Sequence, residues 1–193
     1  PRGAFSTSTS VSSTSRSSGL PAPAFQLQVL RKQSWVSRCN GAGSGPVSAE
    51  WMIPKALGMK SHQPEVYDSA AMIGEYQDYI NLRLTGRWVG SLDNMAVRWH
   101  YQSQHGGKPT SLLVRLDIPE LEEKWPRDIV RPGDVIDGLT KEAAEHCGLT
   151  AGTPVVQGGA DAFIGMIGLG VTEPGEMALI TGSSHLHLGV AAS

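Results

Sequence analysis

The stretch from Pro154 to Gly189, PVVQGGADAFIGMIGLGVTEPGEMALITGSSHLHLG, constrains this chain more than any other. A short apolar run, Thr153 to Gln157, reads as a buried strand. Gly158-Gly159-Ala160-Asp161 then makes a tight turn into an apolar helix. Two further strands, Met177 to Ile180 and Leu186 to Val190, are joined around Thr181-Gly182-Ser183-Ser184. An acidic residue at a helix start lies at the positive end of the helix dipole. Glycines directly before it let a substrate approach the backbone closely. A turn of hydroxyls and unencumbered N–H groups is equipped to hold phosphate oxygens. An Asp at a helix start is usually only a cap, and such a turn usually only a hairpin. Their order and separation are what point to function. Helices and strands alternate along the rest of the chain, so the class is α/β.

Charge divides the molecule unevenly. Five of its 16 basic residues and none of its 18 acidic ones precede Glu50. The run from Ser6 to Ser18 is almost wholly Ser and Thr, and Pro21-Ala22-Pro23 follows. So polar a segment cannot bury enough apolar surface to offset its chain entropy. Two readings stay open for it: an organelle transit peptide, which is Ser-rich, Arg-containing and poor in acids, or an unstructured tail or misassigned sequence that does not belong to the mature protein. With a net charge of −2 there is no chain-wide basic bias for a nucleic-acid backbone. The apolar runs fall far short of the roughly 20 residues of a membrane-spanning helix. Cys39 and Cys147 show neither paired nor CxxC spacing, which excludes a disulfide scaffold and a cysteine-rich zinc module.

From Glu50 onward the sequence looks globular. Pro54 to Lys60 predicts a short helix, and Pro64-Glu65 opens a second. Tyr76, Tyr79, Ile80 and Leu84 fall at helical spacing, with Gly86 as the stop. Ser103 to Pro109 is a loop. Leu112 to Trp125 is a helix broken by Pro119, and Pro132-Gly133 suits a type II turn. Thr140 caps a helix over KEAAEHC that ends at Gly148.

Other chemistry is weaker. His185 and His187 share a strand face at a spacing that can bind zinc, but no third ligand is evident. Ser183-Ser184-His185 lacks the GxSxG elbow of hydrolases. GGADAFIGMIGLG does not give the dinucleotide fingerprint, and Phe163, Ile164 and Ile167 already bury that helix. Trp51 and Trp99 are expected to fill core rather than stack on sugar, and Cys147 to be an inert buried thiol.

Three blocks carry a resemblance: AEWMIPKALGMK from Ala49, GEYQDYINLRLTGRWVGSLDNMAVRW from Gly74, and the GGAD…ITGSS stretch. From Val47 on, the chain resembles the middle of an FGGY carbohydrate kinase, with the ribulokinase-like branch nearest. The resemblance implies a fragment of an actin-like, ribonuclease-H-like two-lobe ATPase fold. Residues 1–46 would be the leader, 47–175 the second half of the sugar-binding lobe, and 176–193 the start of the C-terminal lobe. It implies Asp161 as the catalytic aspartate, and Thr181, Gly182 and Ser183 as the turn that meets the transferring phosphate. It further implies that Glu50, Lys55, Asn94, Gly159 and Ala160 border the sugar pocket. ATP and Mg²⁺ follow as cofactors and a ketopentose such as ribulose as substrate. A homodimer is compatible with this, and nucleic acid and membrane are not expected partners. Location is left between cytoplasm and plastid by the two readings of the leader. Gly58 departs from the family, which usually carries a large aromatic there. The family's DxGT hairpin and Gly-rich adenosine loop are also missing from this sequence. On that ground the chain alone is expected to be inactive, and the alternative reading is a non-catalytic fragment that binds a sugar or a partner protein.

Overall fold

The computed structural model describes residues 49–182 and 185–191. The leader and Ser183 lie outside these residues. The described chain forms two compact units that divide between Gly159 and Ala160. Among the described residues no helix is long and apolar enough to cross a membrane.

The larger unit opens with helices α1 (Met52–His62) and α2 (Pro64–Ser69), where Pro64 takes the first helical position. Helix α3 (Tyr76–Thr85) ends on Gly86, which adopts the left-handed conformation at φ 76°. Strand β1 (Val89–Ser91) leads directly into α4 (Leu92–Arg98). The chain crosses through a 3-10 turn (Ser103–His105), α5 (Thr110–Arg115) and α6 (Leu121–Lys124). It returns as β2 (Asp128–Val130), parallel to β1 with Gly90 opposite Ile129. Strand β3 (Val135–Gly138), helix α7 (Lys141–Cys147) and β4 (Pro154–Val156) complete the unit, with β3 and β4 antiparallel around a bulge. The expected cap is present: Thr140 Oγ1 accepts the Ala143 N–H at 3.2 Å. Gly133 carries the positive φ of a type II turn, closed by the Asp134 N–H donating to the Arg131 carbonyl.

The core of this unit is built on two tryptophans. Trp99 and Trp125 are buried with ring centroids 4.8 Å apart, and Ile53, Tyr67, Met95, Leu112, Leu113, Ile118 and Leu121 are buried with them. Trp99 thus fills core, as its sequence context suggests, and Trp51 is half-buried. A second cluster joins Leu139, Ala143 and Ala144, with Leu84 and Val155 packed against it.

The smaller unit holds α8 (Asp161–Gly168) and the antiparallel pair β5 (Met177–Thr181) and β6 (His185–Gly189). Ala162 and Met166 of the helix meet Ala178, Leu188 and Val190 in its core.

The helix expected over α3 is present, with its spaced residues unequally placed: Tyr76 is 78% exposed and Tyr79 49%, Leu84 packs against the second cluster, and Asp78, Asn81 and Thr85 are buried. Three expectations about burial are corrected. Strand β4 is not a buried strand, since Pro154 and Val156 face outward. Helix α8 buries only Ala162 and Met166, while Ile164 and Ile167 are exposed. Cys147, the last residue of α7, is an exposed free thiol.

Candidate functional site

Helix α4 organises the polar residues of the larger unit. Asn94 and Arg98 are four residues apart and so share one helix face, and both reach the start of α3. The Asn94 amide donates to Gln77 Oε1 at 2.8 Å. Arg98 Nε stands 2.9 Å from Glu75 Oε1, and the Trp99 indole donates to the same carboxylate oxygen at 3.1 Å. Arg98 also donates to the Glu50 carbonyl at 3.1 Å. The Glu50 side chain pairs with Lys55 at 3.2 Å across the first turn of α1. Glu50, Lys55 and Asn94 are therefore linked, through Arg98, to one helix.

Behind this face α3 buries its polar side. Asn81 donates to Gln157 Oε1 at 2.9 Å, and the Gln157 amide donates to the Gly158 carbonyl at 3.0 Å. Ser91 Oγ, at the end of β1, donates to that carbonyl at 2.9 Å. Asp78 accepts the Glu75 N–H at 2.9 Å. Burial raises its pKa to about 7 and the nearby Glu75 charge adds to the rise, while backbone N–H groups hold it down. Beyond α4, His100 is buried at φ 59° with its ring edge-on to Trp51, centroids 5.1 Å apart. Burial lowers its pKa to about 4, so the ring is neutral at pH 7.

In the smaller unit Asp161 is the first residue of α8. Its Oδ1 accepts the Ala162 N–H at 2.7 Å. It lies in the first turn, at the positive end of the helix dipole. Thr181 ends β5 opposite His185, and Gly182 begins the bend. Ala162, next to Asp161, and Ile180, next to Thr181, belong to one apolar cluster, which places Asp161 and Thr181 in the same small unit. Glu50, Lys55, Asn94 and Gly159 belong to the larger unit, and Ala160 opens the smaller one. Among the described residues no group of three His, Cys, Asp or Glu side chains could hold a metal ion.

The sequence reading did not single out Gln77, Arg98 or Gln157. The i, i+4 spacing of Asn94 and Arg98 was a visible signal for Arg98. Gln77 and Gln157 carried none, because their partners lie far away in the sequence.

Residues 49–168 match the N-terminal domain of the FGGY family of carbohydrate kinases. A ribulokinase of Bacillus licheniformis is 33% identical over 148 residues, covering 75% of this chain and 27% of that protein. An autoinducer-2 kinase of Klebsiella pneumoniae subsp. pneumoniae is 30% identical over 149 residues, covering 72% and 26%. Among solved structures, a ligand-bound xylulose kinase from Lactobacillus acidophilus superposes with a TM-score of 0.70 at 23% identity, covering 86% of this chain and 33% of that one. The fold is thus that of part of an actin-like, ribonuclease-H-like sugar kinase. The chain spans about a quarter of the length of the curated relatives it matches.

Proposed function

The chain belongs to the FGGY family of carbohydrate kinases, and on that premise we propose that it forms part of an ATP-dependent kinase acting on a ketopentose such as ribulose. The observation that carries this reading is the set of ribulokinases 31–34% identical over three-quarters of the chain. The autoinducer-2 kinases share somewhat less, at 30–32%.

Asp161 is the proton acceptor in this mechanism. A sugar hydroxyl gives its proton to the carboxylate as its oxygen attacks the γ-phosphorus. The new O–P bond forms while the bond to the β-phosphate oxygen breaks, and ADP leaves with that electron pair. Mg²⁺ on the nucleotide offsets the charge of the phosphates. Thr181 and Gly182 supply a hydroxyl and a backbone N–H for the transferring group. Glu50, Lys55 and Asn94 orient the sugar: Lys55 offers an ammonium, Glu50 a carboxylate, and Asn94 the carbonyl oxygen and second N–H that its bond to Gln77 leaves over.

The test is a chimera in which residues 49–191 replace the matching segment of a full-length ribulokinase. Asp161→Asn preserves size and removes the base, so kcat falls by about 10² or more while ribulose binding persists. Turnover near that of the parent chimera would refute the assignment.

A further inference from the structure

Gly158 and Gly159 invite a substrate-centred explanation, but the structure gives them neighbours from the protein itself. A Cβ added at Gly158 would lie 2.8 Å from Gln77 Nε2. One added at Gly159 would overlap Asp93 Oδ2 and lie 3.1 Å from Asp93 Cγ. The glycines of α8, Gly165 and Gly168, and Gly182 in the bend have open space at the same position. The same segment is also held by hydrogen bonds. The Gly158 carbonyl accepts from Ser91 Oγ and Gln157 Nε2. The Gln157 backbone bonds to Gly133 and Asp134 in both directions. Gln77 is itself oriented by Asn94. Residues 157–159 are thus held by both close contacts and hydrogen bonds, and the division between the two units falls directly after them.

We infer that Asp93 and Gln77 are positioning residues, whose contacts with the Gly158–Gly159 backbone fix the point from which the chain enters the helix bearing Asp161. The inference rests on the reading of Asp161 as the proton acceptor. Gly159 and Asp161 are two residues apart, a span of at most about 7 Å. A shift of the held segment therefore reaches the start of that helix through a single intervening residue, Ala160. A misplacement of about 1 Å can cost a reaction about 10²-fold.

The test reads position rather than turnover, on the full chain labelled with ¹⁵N. Gly159→Ala forces its new methyl into the Asp93 carboxylate, so the amide resonances of Asp161 and Ala162 move or split. Adding Asp93→Ala removes the obstacle and returns them to their original places. Asp93→Asn alone, which keeps the shape, leaves them unmoved. The buried Trp99 indole resonance reports that the larger unit remains folded. Asp161 resonances unmoved by Gly159→Ala, or not returned by the second change, would overturn the inference. Should Gly159→Ala unfold the chain, Asp93→Ala alone decides. Loss of the grip raises amide exchange at Gly159–Asp161 about tenfold with Trp99 unchanged, and unaltered exchange overturns the inference. A chimera that keeps its turnover with Asp161→Asn would sink the kinase role of that residue and leave these resonances untouched, so the two failures are distinguishable.

Discussion

Glycines in this chain serve opposite ends, and substitution separates them. Gly58 lies in the interior of α1 with nothing within 4 Å of an added Cβ. A methyl group there would have room, so the glycine weakens the helix without a steric reason. Gly58→Ala is expected to stabilise by about 0.5–1 kcal/mol through helix propensity and a less disordered unfolded chain. Gly148 stops α7 at φ 68°. Gly148→Ala places a Cβ in the left-handed region and is expected to cost about 1–2 kcal/mol. Thermal unfolding followed at 222 nm checks both, and a lower midpoint for Gly58→Ala would contradict the account. Gly148 was legible from its place after KEAAEHC. His100 was not: nothing local in RWHY says that a histidine will take a positive φ and be buried against Trp51, which is 49 positions earlier.

Elements were more legible than the faces they bury. Helix α3 was announced by its spacing and by Gly86, yet the side that enters the protein is the polar one. Amides are buried where partners exist, and the partner of Asn81 is Gln157, 76 residues on. No local window contains that information. Asn81→Ala should cost about 1–3 kcal/mol, because the buried Gln157 oxygen loses its donor. Tyr79→Ser on the exposed side should cost less than about 0.5 kcal/mol. Urea unfolding of the two variants decides between the faces, and equal losses would mean that the polar contact contributes little. The break after α5 shows the same divide. Pro119 was a visible signal, but the chain already turns at Asp117, which has φ 58°. In α8 the apolar run suggested a buried helix, but only Ala162 and Met166 are buried in the small core, with Phe163 packed against it.

At the scale of the molecule, the parts of the candidate site read from sequence are those that are local. Asp161 follows its glycines directly, and Thr181 closes a strand a few residues before its partner. The grip of Asp93 on Gly159 joins residues 66 positions apart and needed coordinates. Two buried titratable groups in the larger unit also set how its stability responds to pH. Asp78 is raised from 3.8 to about 7, mainly by burial. The folded state holds its proton more tightly than the unfolded chain does. Its contribution is therefore complete below pH 3.8 and is lost as pH rises to about 7. His100 is lowered from 6.5 to about 4 by burial. Its contribution is complete above pH 6.5 and is lost as pH falls to about 4. Between pH 4 and 6.5 the two slopes oppose each other, so they largely cancel. Each substitution should then unmask the other group. Asp78→Asn should give stability that rises by a few kcal/mol from pH 4 to 6.5, at about 1.4 kcal/mol per pH unit where the histidine titrates fully. His100→Asn, which tolerates a positive φ, should give stability that falls over the same range. Urea unfolding read by tryptophan fluorescence at half-unit steps measures both, with groups common to all three proteins cancelling in the differences. If Asp78→Asn kept the parent's pH dependence, the buried carboxyl would be ionised in the folded state as it is in the unfolded chain, and the opposition would not exist.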